Sequence, residues 1–144
     1  MLRLSRKADY ALISLGYLAE REGRVSSARE IASACQIPAA LLMNILKSLH
    51  QHGVLSSIRG ASGGYRIGID LHTISLLELC KMVEQVDLGA SERLALHGPA
   101  QALQYRLSRF MREVSVADLV LPGRRIDVPL ERVGVGQKKQ AVQV

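Results

Sequence analysis

Residues 27–69 read SAREIASACQIPAALLMNILKSLHQHGVLSSIRGASGGYRIGI, and this stretch decides the fold. Ser27 and Glu30 have the spacing of a capping box, in which the hydroxyl accepts from a free amide and the carboxylate reaches back to the cap's own N–H. Behind them Ala28, Ile31, Ala32 and Cys35 share one helical face. Only Gln36 and Ile37 separate this helix from the next. Pro38 is expected in that next helix's first turn, where a missing N–H costs nothing. Leu42, Ile45, Leu46 and Leu49 form its apolar face, and Gly53 ends it. Ala40, Asn44, Lys47 and Gln51 lie opposite. Two helices so closely joined, the second polar on its outer face, have the sequence form of a helix–turn–helix.

The same stretch continues as Val54 to Ile58, a glycine-rich turn from Arg59 to Gly64, and Tyr65 to Ile69. Strand, turn and strand make a hairpin directly after the candidate recognition helix. Upstream, Ala8, Ala11, Leu12, Leu15 and Ala19 give an amphipathic helix over 6–21. The order helix, helix, helix, hairpin is that of a winged helix. The fold class expected is therefore mainly α (α+β), a winged helix–turn–helix.

Downstream, Ser75 and Glu78 form a second box, with Leu76, Leu79, Cys80 and Val83 on one face. Residues 85–98 read as a loop or frayed helix. From Pro99 a long helix runs to about Glu113, striped by Leu103, Leu107, Phe110, Met111 and Val114. That stripe lies outside the winged-helix unit, so a partner subunit is a natural place to bury it. A third box, Ser115 to Asp118, opens a short turn to Val120. The organisation expected is a winged-helix domain over 1–84, a linker over 85–98, a dimerisation helix and short helix over 99–121, and a loose basic tail over 122–144.

Length and charge narrow the function. The chain of 144 residues suits one domain, and its net charge of +6 points to an anionic partner. Residues 1–66 hold 9 basic and 4 acidic side chains, 67–121 hold 5 and 7, and 122–144 hold 5 and 2. Positive charge thus gathers on the winged helix and the tail. Four Tyr, one Phe and no Trp give too few aromatic platforms for base stacking. Duplex DNA, held through phosphates, needs none. Two cysteines make neither a disulfide scaffold nor a four-thiolate zinc site. No signal peptide or apolar run of the ~20 residues a membrane helix needs is visible, and a cytoplasmic location is expected. No catalytic constellation stands out, and an enzyme is not expected.

The start RLSRKADYAL, the segment AREIASACQIPAALLMNILKSLHQHGVL and above all SSIRGASGGYRIG resemble the Rrf2 family of bacterial winged-helix regulators. The resemblance spans residue 2 to about 121, and its wing is the most specific part. It implies a DNA-binding transcription regulator, most often a repressor, that forms a homodimer through the long carboxy-terminal helix on a palindromic operator. Some members of that family sense through an iron–sulfur cluster held by three closely spaced cysteines. The corresponding stretch here has none. Leu94 stands where the last cysteine would be, His97 where a histidine is sometimes found, and Asp9 where certain members supply an oxygen ligand. One imidazole and one carboxylate do not hold a cluster, so no cofactor and no metal ligand is expected.

Candidate DNA contacts follow element by element. Asn44 has the amide to read adenine bidentately, and Lys47 and Gln51 can meet phosphate or a base edge, beside Ala40. Arg59 is placed for minor-groove insertion, with Gly60, Gly63, Gly64 and Tyr65 shaping the wing; the plainer alternative for Arg59 is a rim salt bridge. Arg3, Ser5 and Lys7 are candidate phosphate anchors, as is Tyr10, which is equally well placed to pack under the first helix. Cys35 and Cys80 read as small buried hydrophobes, with a redox switch as the sharper alternative. His50 and His52 point to different sides of their helix and suit its carboxy terminus as cations. Two other functions stand beside cluster-free regulation. One is sensing through an unusual ligand set including His97, Asp9 or Cys80; the other is a winged helix that docks a protein and not DNA. The effector, the operator and the tail's role are not legible.

Overall fold

Ser5 opens the first helix, α1 (Arg6–Ala19), its hydroxyl accepting from Ala8 N at 3.2 Å. The computed structural model describes residues 4–84, 98–121 and 123. Ala8, Ala11, Leu15 and Leu18 turn inward from α1. The helix stops at Ala19, two residues short of the expected 21, because Glu22 and Gly23 take positive φ angles of 47° and 82°.

Ser27 caps α2 (Ala28–Cys35), accepting from Glu30 N at 3.1 Å. The Glu30 carboxylate turns toward α1, where it accepts from the Tyr17 hydroxyl at 2.9 Å and faces Arg21 at 3.3 Å. The Tyr17 hydrogen bond is the main reason that its pKa lies below the ordinary carboxylate value. After α2, Gln36 enters the left-handed region (φ 54°) and Ile37 drops into the core, its N–H donating to Ala32 O at 3.0 Å. Pro38 is the N-cap of α3 (Ala39–Gln51), one place before the first turn expected for it. Its carbonyl accepts from Leu42 N at 3.0 Å, so the residue without an N–H sits where none is required. Leu42, Ile45, Leu46 and Leu49 of α3 are all buried, as their spacing predicts.

Strands β1 (Leu55–Ile58) and β2 (Gly64–Ile67) pair antiparallel with Leu55 opposite Ile67 and Ile58 opposite Gly64. Tyr65 also pairs with Ser26: Ser26 N donates to Tyr65 O at 3.0 Å and Tyr65 N to Ser26 O at 2.8 Å. A Cβ at Gly64 would collide with the Ser26 carbonyl, so only glycine admits this approach. A single 3₁₀ turn, Leu71–Thr73, follows, capped by Asp70.

Helix α4 (Leu76–Glu84) begins with its expected box. Ser75 N donates to Glu78 Oε2 at 2.8 Å, and Glu78 N to Ser75 Oγ at 3.3 Å. Those bonds, the backbone one foremost, hold the Glu78 carboxyl below its ordinary pKa. Helix α5 (Pro99–Glu113) then leads to α6 (Val116–Val120), whose Ser115–Asp118 box is complete. The two boxes meet back to back: Leu76 N donates to Val114 O and Val116 N to Ile74 O, each at 2.8 Å. Val114, Val116 and Ala117 therefore enter the same core as Leu15 and Leu79. This corrects the place expected for Val114, which lies beyond the end of α5 and faces inward, away from the exposed stripe. Helix α6 likewise belongs physically to the winged-helix body. Among the described residues no helix is long and apolar enough to cross a membrane.

The result is a mainly helical winged helix–turn–helix with one two-stranded wing. Leu46, fully buried on α3, tests the core. Leu46→Ala is expected to lower stability by about 2–5 kcal/mol, read as a lower urea midpoint at unchanged slope.

Candidate nucleic-acid interface

The burial of one face of α3 obliges the other to face solvent. Ala39, Ala40, Met43, Asn44, Lys47 and Gln51 are all exposed there. Lys7, in the first turn of α1, comes to the same place. Lys7, Asn44, Lys47 and Gln51 line one hollow of about 330 Å³, with Ile45, Ser48 and Val83 also in its wall. Among the described residues no carboxylate lines it. Ser48 is buried and donates its hydroxyl to the Met82 carbonyl, fixing α3 to α4. That residue was not legible as part of the site. Its only signal is a hydroxyl on an otherwise apolar face, between Ile45 and Leu49.

The wing stands beside α3. Arg59 is exposed and enters none of the ion pairs among the described residues, which leaves no support for a rim salt bridge. Gly60 has φ 113°, and a Cβ at Gly63 would collide with the Ile58 carbonyl, so these glycines fold the turn. Tyr65 is half-buried and packs on the core, which gives it a holding role. Its ring meets His50 edge to face, with centroids 6.4 Å apart. His50 Nε2 lies 3.0 Å from Ser57 Oγ on β1. The last turn of α3 is thereby latched to both strands of the wing. His52 turns elsewhere, its Nδ1 2.8 Å from the Ser48 carbonyl, as suits a group closing the helix end. Ser5, assigned to phosphate, is occupied as the cap of α1; Tyr10 packs against the core. Arg3 lies outside the described residues.

The stripe on α5 is uneven. Leu103 and Phe110 are 57% and 43% exposed, while Leu107 and Met111 are half-buried. Tyr105, not on the expected stripe, is 66% exposed. The cysteines are separate: Cys35 is half-buried and Cys80 buried. Burial, with lesser effects of Glu84 and Asp9, pushes the Cys80 thiol up to about 11, which favours the protonated form near neutrality. Leu94 and His97 lie outside the described residues. Among those described, no group of three or more His, Cys, Asp or Glu is placed to hold a metal ion.

Replacing His50 tests the latch. In His50→Ala, amide exchange across Leu55–Ile67 is expected to accelerate while the amides of α1 keep their protection; unchanged exchange in the hairpin would show that the latch carries no weight.

Comparison with known proteins agrees with this fold. The family described as "Rrf2: Iron-dependent Transcriptional regulator" matches residues 4–122. The HTH-type transcriptional regulator NsrR of Bacillus subtilis (strain 168) is 36% identical over 84 residues, spanning 58% of this chain and 58% of that protein. A putative HTH-type transcriptional regulator of Aquifex aeolicus (strain VF5) is 25% identical over 124 residues, 77% of this chain and 86% of the relative. The structure of CymR, the global cysteine regulator of B. subtilis, superposes with a TM-score of 0.64 at 25% identity, covering 83% of this chain and 97% of that one. T. potens IscR shares the fold, with a TM-score of 0.62 at 22% identity over 81% and 85% of the two chains.

Proposed function

The chain belongs to the Rrf2 family of transcriptional regulators, and on that premise we propose that it is a homodimeric, sequence-specific DNA-binding repressor that works without an iron–sulfur cluster. The observation that carries this reading is the convergence of Lys7, Asn44, Lys47 and Gln51 on one hollow beside the wing, to which no described residue contributes a carboxylate. Each side chain supplies what a duplex requires. Lys7 and Lys47 are cations for phosphates, and the Asn44 amide matches the acceptor and donor of an adenine edge. Ala40 and Met43 expose apolar surface that suits thymine methyls, so the half-site is expected to favour A·T pairs under the start of α3. Arg59 enters the flanking minor groove, where a narrow A·T tract concentrates negative potential.

The dimer places two such faces about 34 Å, or a multiple of it, apart on a palindrome. Its support is α5, where Leu103 and Phe110 leave apolar surface in solvent that a second copy would bury. Occupancy of an operator then blocks transcription. The donor set does not fit the cluster that an iron-dependent family implies. Its two cysteines stand on different helices, and the Cys80 thiol is held protonated. Cluster ligation needs several thiolates brought together.

Two measurements test this reading. Against DNA selected from a random pool, Asn44→Ala is expected to lose about 1–3 kcal/mol of binding and to relax one base position. Arg59→Ala is expected to weaken binding and reduce the salt slope by about 1. Wild-type protein that prefers no sequence, and variants that bind as it does, would defeat the proposal. In sedimentation, Leu103→Asp with Phe110→Asp is expected to give a folded monomer; a persisting dimer would remove α5 from the interface.

A further inference from the structure

Side chains of a strand alternate between its two faces, so the hairpin has an inner and an outer face. Leu55 is buried, Ser57 meets His50 of α3, and Tyr65 and Ile67 pack on the core. These four make the inner face, toward the body. Ser56, Ile58 and Arg66 alternate with them and make the outer one. Arg66 stands opposite Ser56, and its Nε donates to Ser56 Oγ at 3.2 Å.

From Val54 to Ile69 the sequence carries two cations, Arg59 and Arg66, and no acidic residue. Arg66 is exposed and enters none of the ion pairs among the described residues. Asp70, the next acid along the chain, caps the 3₁₀ turn and pairs with His72. The bond to Ser56 engages Nε, which leaves the terminal nitrogens of the guanidinium for a second acceptor. Those nitrogens form the fork that receives a phosphate. A long surface side chain ordinarily loses freedom when it binds; Ser56 orders this one beforehand.

We propose that the outer face of the hairpin is a second DNA-contacting surface, on which Arg66, oriented by Ser56, grips a phosphate of the strand across the minor groove. This rests on the DNA-binding reading above. A minor groove is about 6 Å wide, and two strands about 4.8 Å apart, with side chains on both faces, do not fit inside it. Arg59 enters from the turn, and the strands ride over the groove's edge. With α3 in the major groove, the inner face covers the backbone that separates the two grooves. The outer face then looks toward the other backbone of the minor groove. The two arginines thereby do different work. Arg59 responds to groove width and so to sequence, whereas Arg66 holds a phosphate and reads no base.

The full-length protein is titrated against the duplex selected from the random pool and against a scrambled duplex, at several salt concentrations. Arg66→Gln is expected to weaken binding to both severalfold and by the same factor, with the salt slope lowered by about 1 and the selected sequence unchanged. At an exposed position it is expected to melt as wild type does. Ser56→Ala is expected to give a smaller loss, which disappears in the Arg66→Gln background. Neutral methylphosphonate links are then placed one at a time along the minor-groove strand beyond the wing. At one position the link is expected to weaken wild type and not Arg66→Gln, a result that a merely structural arginine would not produce. An unchanged salt slope in Arg66→Gln, or links that weaken both proteins equally at every position, overturns the proposal. If Arg59→Ala weakens binding and Arg66→Gln does not, this face fails while the DNA-binding reading stands. Wild type that binds neither duplex defeats that reading, and this face with it.

Discussion

The arrangement depends on one backbone contact, the pair of hydrogen bonds between Ser26 and Tyr65. Ser26 immediately precedes the cap of α2, and Tyr65 lies in the second strand of the wing. Their pairing fastens the hairpin to the start of the helix–turn–helix, and Gly64 makes it possible by having no Cβ. A two-stranded hairpin has little stability alone. Here it borrows rigidity from α2 through this pair and from α3 through His50. Arg59 is thereby presented from a turn whose two strands are both anchored.

Charge and capping reinforce that arrangement. The Glu30 carboxylate helps to hold α1 against α2, accepting from Tyr17 and facing Arg21, whose guanidinium lies 4.2 Å from the Tyr17 ring centroid. Exposed pairs of this kind contribute little singly, and their value here is in sharing one carboxylate among three elements of local structure. At the other end, Ser75 and Ser115 close two helix starts and also pair with each other. Short-range signals in the sequence thus mark a long-range joint.

Local features were the legible ones. The apolar spacing of Leu42, Ile45, Leu46 and Leu49, and the boxes at Ser75 and Ser115, are written within a few residues and reappear in the structure. So is the exposed face with Asn44 and Lys47. Features that need two distant segments were not legible. Nothing near Ser26 announces Tyr65, and nothing on α5 says that its stripe ends before Val114, which the core claims through Leu76 and Ile74. Ser48 was missed for the same reason, since its partner is a carbonyl on another helix. The glycines of the wing were recognised, but the structure divides their work: Gly60 supplies a positive φ, whereas Gly63 and Gly64 permit close approach.

The joint between Val114 and Leu76 has a mechanical consequence. Helix α5 is held at its carboxy-terminal end by that hydrogen bond and by the buried Val114, while Leu103, near its start, stands in solvent. It is a lever with its fulcrum at one end. At 1.5 Å per residue its 15 residues make an arm of roughly 22 Å, so a tilt of only about 5° at the fulcrum moves the tip by about 2 Å. A tilt too small to disturb the packing of the core thus moves the tip by more than the narrow distance range of a hydrogen bond tolerates.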